Sequence, residues 1–476
     1  MEEKRREGFV RRAWMVVYSV GNVGYELMYE FFKNFQNFFL TDICNFSTAL
    51  TGTLITAVNI CKAIFTPISG MIIDKNPFRA RDKHTPWIVG MPLLLGIMYI
   101  FMAYLAWQGG SPTLILVVFA IFYFLPPLLQ NGYRSAIPSI ARNASESTFL
   151  ASGINLASNI GRMLTGIIVP FIMVHMSADR SGEDAQGFFW AVVISVALTI
   201  IVYWVSALGV KKTIRADQVA KAVGKQVKKQ SQSFMSMMRQ VFTDKNIMVP
   251  FIIGLAVFFR TFVVSPTAPY YFTYITGNML HYATFSTATN IAGIVGTFCG
   301  PIFLAFFKDP KRICAGAVLL QIICHLSLLL IGSNTAGFIV AMTVCQFFYQ
   351  LTCIILFSMF VDAVDFTELR ERKAGKTDVA SGTAMSLHFT AVMFAQVLGG
   401  AVRNVALAQA GYIGAETVAS PELTQGLVNM YALWPTAFLA VGFIAIFFYS
   451  LDRKTMDEVH KELEPLREAA AQKAEK

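Results

Sequence analysis

The sequence predicts an all-α membrane protein with twelve transmembrane helices in two six-helix bundles. Of its 476 residues, 55% are hydrophobic and only 14% are charged, against about 25% charged residues in an average soluble protein. Apolar runs also recur from end to end, and a run of roughly 20 residues crosses a hydrocarbon core of about 30 Å. Because backbone groups in lipid must be satisfied within their own segment, we expect these runs to be helices.

A long polar stretch separates six predicted spans from six more. The predicted organisation is an N-terminal six-helix bundle (1–210), a basic cytoplasmic linker (211–246), a C-terminal six-helix bundle (247–451) and a cytoplasmic tail (452–476). The tail alternates acidic and basic residues, so we expect a solvated helix or disorder. The spans, numbered 1 to 12 in chain order, are 13–41, 48–74, 87–107, 112–141, 148–176, 188–210, 247–276, 283–307, 313–331, 336–364, 377–403 and 428–451.

Lys and Arg are concentrated on one side of the predicted membrane. The loops 108–111, 277–282 and 333–335 contain none of them. Cytoplasmic loops carry the excess of Lys and Arg, so we expect both termini in the cytoplasm and a multi-pass protein of a bacterial inner (cytoplasmic) membrane. This topology accounts for the net charge of +10 without a nucleic-acid partner. The basic segments are 4–12, 75–83, 308–312, 370–376 and the tail.

Several spans carry ionisable side chains near their midpoints. Such a side chain costs at least about 2.5–3.5 kcal/mol at mid-bilayer, so we expect each to face a cavity or a partner. The three charged residues of span 1 share one helix face, because they are spaced four and three apart. The residues are Glu26, Glu30 and Lys33 in span 1, Lys62 in span 2, Arg162 in span 5 and Arg260 in span 7.

These charges predict a substrate pocket between the two bundles, where two-bundle transporters bind their solute. One alternative is that Glu26 or Glu30 pairs with Lys62 and only pins span 1 to span 2. The cations outnumber the carboxylates, which favours an anionic substrate group such as a carboxylate. A buried Glu26 or Glu30 could also bind a proton and couple its movement to the solute.

Other candidates for the pocket lie in spans 4 and 11. Pro126 and Pro127 predict a kink in span 4, followed by Gln130 and Arg134. A kink of this kind commonly lines a cavity, although it also serves packing alone. His388, near the middle of span 11, is either a substrate or proton ligand or a packing group.

Acidic residues end spans 2 and 10 on the predicted cytoplasmic side. Asp74 precedes the basic loop that contains Arg81, and Asp362, Asp365 and Glu368 precede 370–376. We expect these residues to form gating ion pairs that break as one bundle rocks against the other.

Several motifs resemble the glycoside–pentoside–hexuronide cation symporters, a branch of the major facilitator superfamily that includes the melibiose permeases. The segment 362–368 looks like the family's D-x-x-D-[YF]-x-E motif at the end of span 10. The resemblance covers both halves of the chain and implies a twelve-helix symporter with a central sugar site. The other matching residues are Tyr18, Gly21, Gly24, Thr41, Asp42, Gly52, Thr53, Leu54, Pro67, Gly70, Asp74, 79–87 and 135–138.

The chain departs from this family where sodium would bind. The resemblance puts Lys62, Thr66 and Gln130 at the positions of the family's sodium-binding carboxylates, so sodium coupling is doubtful. It keeps Glu26 as the sugar-binding acid. It places Arg134 where the family has an aromatic residue, and His388 at or beside the family's lysine.

We therefore predict a secondary active transporter for a glycoside or related organic anion, with a proton as the coupling ion. Uniport or exchange of a non-sugar carboxylate, sulfonate or amphiphile is the alternative within transport. A membrane-embedded enzyme is the alternative of another class, but the six dispersed His residues show no catalytic cluster. We expect a monomer in the lipid bilayer with no enzymatic activity, metal or other cofactor; the seven Cys residues lack metal-ligand spacing.

Overall fold

A computed structural model describes residues 2–74, 84–141, 144–178, 182, 184–213, 244–307, 309–373, 383–412, 419–451 and 453–474. These residues are mostly helical and contain no strand, so the predicted all-α membrane fold is confirmed. The helices are α1 (Glu2–Tyr25), α2 (Phe31–Phe38), α3 (Thr48–Asp74), α4 (Thr85–Trp107), α5 (Pro112–Phe124), α6 (Pro126–Arg134), α7 (Ile137–Ile140), α8 (Ala144–Met176), α9 (Ala185–Thr213), α10 (Lys245–Tyr274), α11 (Leu280–Phe307), α12 (Pro310–Ile331), α13 (Thr335–Lys373), α14 (Thr383–Gln409), α15 (Pro421–Phe447) and α16 (Arg453–Ala474).

Eleven helical spans in the described part of the chain are long and apolar enough to cross a membrane, and they correspond to spans 2–12. Span 1 is a continuous helical run that two π-helical segments interrupt. The first π segment, Glu26–Glu30, separates α1 from α2, and the second, Phe39–Ile43, follows α2. The arrangement is consistent with twelve spans.

Span 4 is broken where the sequence predicted a kink. Helix α5 ends at Phe124 and α6 begins at Pro126, with Leu125 between them. Neither Pro126 nor Pro127 has a backbone N–H, so the α-helical hydrogen-bond ladder is interrupted there.

The contacts divide the chain into two compact units. The first comprises Met1–Val227, Ser265–Ile291 and Arg403–Thr424. In this unit α1 packs against α8 and α9, and α4 packs against α9. Tyr18 and Tyr133 stack with ring centroids 4.6 Å apart, and each hydroxyl donates to the other residue's carbonyl at 2.5 Å.

The second unit comprises Lys228–Val264, Ala292–Val402 and Gln425–Lys476. Helices α12 and α13 pack side by side, and the rings of Phe259 and Phe438 stack at 3.5 Å. The predicted bundle limits, 1–210 and 247–451, stay a prediction.

The tail forms a docked helix. Helix α16 packs against α13 and buries Met456, Val459 and Leu463 in the hydrophobic core of the second unit. The helix was predicted, but a fully solvated or disordered tail was wrong. The three apolar residues are spaced three and four apart, so they form one stripe that another helix can cover.

Candidate functional site

The first π segment holds both carboxylates of span 1. Glu26 and Glu30 lie at its two ends, and both are buried. π-helical turns are rare and occur frequently at functional sites. The π segment therefore begins and ends at two of the residues whose charge predicted a site.

Each glutamate has a cation of its own. Lys33 donates to Glu30 and pairs with it, and Asn34 Nδ2 donates to Glu30 Oε1 at 3.2 Å. Arg162 Nε lies 4.0 Å from Glu26 Oε1, at the outer limit of an ion pair, and the Arg162 side chain is 40% exposed. We call Glu26, Glu30, Lys33 and Arg162 the Glu26 cluster; its formal charges balance.

Helix α8 approaches the first π segment closely because residue 161 is glycine. A Cβ at Gly161 would lie 2.8 Å from Glu26 Cβ and 2.9 Å from the Val23 carbonyl oxygen. One turn further, Thr165 Oγ1 donates to the Glu26 carbonyl at 3.1 Å, an acceptor in the interrupted part of the helix. The contact sets Arg162, the neighbour of Gly161, beside Glu26.

Lys62 does not pair with either glutamate in the described part of the chain. Its Nζ donates to the Tyr29 hydroxyl and lies 4.5 Å from the Tyr29 ring centroid and 5.5 Å from that of Tyr123. The proposed pairing of Lys62 with Glu26 or Glu30 is therefore wrong, since Lys33 and Arg162 occupy those carboxylates.

Gln130 and Arg134 lie half-buried on α6. Neither side chain forms a hydrogen bond or ion pair with a described residue, and Arg134 Nε is buried. Between them, Asn131 Nδ2 donates to Ser69 Oγ at 2.7 Å and to the Thr66 carbonyl at 3.1 Å, joining α6 to α3.

In the second unit, Arg260 is held by its own neighbours. The buried guanidinium donates from Nε to His325 Nε2 at 3.2 Å and from Nη1 to Gln346 Oε1 at 2.8 Å. His325 Nδ1 lies 2.8 Å from the Tyr431 carbonyl. This carbonyl can only accept, so we assign the His325 proton to Nδ1, which leaves Nε2 to accept from Arg260.

His388 lies elsewhere in the same unit, among aromatic rings. The rings of Phe258, Phe357 and Phe360 stand edge-on to it, with centroids 5.1, 5.6 and 5.8 Å away. Arg260 and His388 therefore have different immediate neighbours. Their role in substrate binding stays a prediction.

Four of the five predicted gating residues lie on described helices. Asp74 is the last residue of α3, and Asp362 is half-buried on α13; Arg81 lies outside the described residues. Their gating role stays a prediction.

The other two predicted gating residues are both on α13, and they pair with residues of α13 and α16. Asp365 Oδ2 lies 3.4 Å from His460 Nε2 of α16. Glu368 Oε1 accepts from Arg372 Nε at 2.7 Å within α13. Their gating role also stays a prediction, but both described pairs lie inside the second unit.

A half-buried carboxylate, Asp42, lies just after predicted span 1 and was not among the predicted site residues. Tyr274 and Tyr412 each donate to Asp42 at 2.5 Å, and Thr41 donates at 2.7 Å. All four residues belong to the first unit. In the sequence, only a family motif indicated Asp42.

Arg403, the last residue of predicted span 11, was also not among the predicted site residues. Its Nη2 donates to Asn37 Oδ1 at 2.7 Å, and Asn37 Nδ2 donates to Asn404 Oδ1 at 3.0 Å. A signal for these contacts existed in span 1. Its polar residues recur at intervals of three or four, which is one helix face; they are Asn22, Glu26, Glu30, Asn34, Asn37 and Thr41.

The fold and these sites define a multi-pass helical membrane protein with a polar, charged stripe along its first span. Among the described residues, no group of three His, Cys, Asp or Glu side chains is placed to hold a metal ion. The chain matches the family described as "MFS/sugar transport protein" over residues 17–453 and belongs to that family.

Three known proteins illustrate the similarity. The glucuronide carrier protein homolog of Escherichia coli (strain K12) is 22% identical, with 94% of this chain and 95% of the relative covered. The raffinose carrier protein of Pediococcus pentosaceus is 23% identical, with 94% and 70% covered. The solved structure of the nucleoside transporter NupG has a TM-score of 0.64 at 12% identity, with 93% and 99% covered; this likeness concerns the fold alone.

Proposed function

We propose that this protein is a secondary active transporter that moves a glycoside or a related organic anion by alternating access. The observation that carries the proposal is the Glu26 cluster, a balanced group of four charges built on a π-helical segment in a membrane span. Family membership and relatives named as glucuronide, raffinose and isoprimeverose carriers support a sugar-containing solute.

The coupling ion in this proposal is a proton, bound at Glu26 or Glu30. Arg162 is partly exposed and only 4.0 Å from Glu26, so a bound solute can draw it away from the carboxylate. A buried carboxylate that loses its cation is neutralised most readily by a proton. Solute and proton therefore bind together. Sodium is disfavoured in this proposal because Lys62, a cation, stands where the resembling family has a sodium-binding carboxylate.

The rival proposal within transport is uniport or exchange of a non-sugar carboxylate, sulfonate or amphiphile. A membrane-embedded enzyme is the rival of another class. The proposed transporter works as a monomer in the bacterial inner membrane, with both termini in the cytoplasm and without a cofactor.

The test is uptake into proteoliposomes of radiolabelled neutral and acidic glycosides, with either a proton or a sodium gradient imposed. We expect accumulation with the proton gradient only. Glu26→Gln and Glu30→Gln each remove one of the two candidate proton sites, and the variant that lacks the coupling residue should lose accumulation but preserve solute exchange. The matched control is Glu462→Gln, the same change at a half-exposed residue of α16. Accumulation by the Glu26 variant equal to that of the control would exclude Glu26 as the coupling residue.

A further inference from the structure

Lys62 lies in a cage made by two tyrosines. Tyr29 belongs to the first π segment, and Tyr123 belongs to α5. Both rings are buried and face the ammonium group at 4.5 and 5.5 Å. The Tyr123 hydroxyl donates to Asn59 Oδ1 at 2.7 Å, and Asn59 lies one turn before Lys62 on α3. This bond fixes one wall of the cage.

The ammonium group in this cage has more hydrogen-bond donors than described acceptors. It carries three N–H donors, and one of them is used by the Tyr29 hydroxyl. Within the described ranges, no other side-chain or main-chain oxygen accepts from Lys62, and no carboxylate lies within 4.0 Å of it. A tyrosine ring attracts a cation but does not neutralise its charge.

The two acids of the first π segment, which also contains Tyr29, do not supply the missing charge. Glu30 is paired with Lys33, and Glu26 lies beside Arg162. The Glu26 cluster is therefore balanced by itself, and Lys62 adds a positive charge that has no described counterion. Lys62 is half-buried, and a cation within a membrane span is costly unless it is paired or faces a cavity.

We infer that Lys62 binds an anionic group of the solute, and that the solute is an acidic glycoside bearing a carboxylate. The inference rests on the proposed function and specifies its substrate class. A carboxylate supplies both the missing charge and acceptors for the two remaining N–H donors. Because Tyr29 lies between Glu26 and Glu30 on one π segment, an anion at Lys62 binds directly against the segment that carries the proton site.

The test compares two solutes that differ at one group, methyl β-D-glucuronide and methyl β-D-glucoside. The variants are Lys62→Met, Lys62→Arg and the control Lys311→Met, whose lysine donates to the carbonyls of Phe447 and Tyr449 far from the cage in sequence. We expect the wild type to prefer the glucuronide. Lys62→Met should lower glucuronide uptake about tenfold or more, as expected for a lost hydrogen bond to a charged group. Glucoside uptake should change much less, and Lys62→Arg should keep the preference.

Two results would overturn the inference and leave glycoside transport intact. These are a wild-type preference for the glucoside, and an equal loss of both solutes in Lys62→Met. If the wild type takes up neither solute, the glycoside proposal fails. Thermal unfolding of the wild type and of Lys62→Met with acetate or methanesulfonate then tests the anion site at Lys62. Stabilisation of the wild type that is lost in Lys62→Met supports the site. Equal stabilisation of the two proteins, or no stabilisation of either, refutes it.

Discussion

The close approach of α8 to the first π segment can be tested with one methyl group. In Gly161→Ala, the added Cβ would lie 2.8 Å from Glu26 Cβ, whereas ordinary contacts begin at 3.4 Å. Helix α8 must therefore move by about 0.6 Å, and the second close atom is a backbone oxygen that cannot rotate away. Overpacking of this kind lowers the free energy of unfolding by about 1–3 kcal/mol. The higher helix propensity of Ala raises it by about 0.5–1 kcal/mol.

We expect Gly161→Ala to lower the free energy of unfolding by about 1–2 kcal/mol. The matched control is Gly90→Ala in α4, where the new Cβ meets no atom within 4 Å; it gains the helix propensity without the clash. Denaturant unfolding in detergent measures both variants.

Transport should change as well, because the Arg162–Glu26 separation is already 4.0 Å. A further shift weakens the ion pair, so gradient-driven accumulation should fall more than solute binding. The reasoning is refuted if Gly161→Ala and Gly90→Ala unfold at the same denaturant concentration and accumulate solute equally.

Two further predictions concern the second unit. His325→Ala removes the acceptor of the buried Arg260 Nε, so the free energy of unfolding should fall by about 1.5–3 kcal/mol, measured by thermal unfolding. His325→Gln restores an acceptor and should recover part of this stability. Equal losses of stability in the two variants would contradict the assigned hydrogen bond. Leu463→Asp places a charge in the core that α16 fills, so limited proteolysis should cleave the tail rapidly. Leu466→Asp, at a residue that is 38% exposed, should remain resistant, and equal cleavage of the two would mean that α16 is not docked.

The candidate site was predicted in part. The charges of span 1 were found because a 3.6-residue period places Glu26, Glu30 and Lys33 on one face. The partner of Glu26 was not identified, because a residue of span 1 can pair with residues from any other span. Arg162 was placed in the pocket, but its position beside Glu26 depends on Gly161, whose small size has meaning only where two helices touch.

The Asp42 contacts show the same limit. Tyr274 and Tyr412 are more than 200 residues away from Asp42 in sequence, and nothing in a single sequence distinguishes these two tyrosines from the other fourteen. The docked tail differs, because its apolar stripe is visible in the sequence. It was overlooked among the alternating charges.

The sequence by itself determined the membrane class, the positions of the spans and the break in span 4. Hydrophobic length and the missing N–H groups of proline act locally, so they can be recognised without knowledge of the neighbours. The tertiary structure decided which cation serves which carboxylate and left Lys62 among tyrosine rings. An ion pair forms only where the charged nitrogen and oxygen atoms lie within about 4 Å of each other. That distance is set by how the helices pack and not by where the residues lie along the chain.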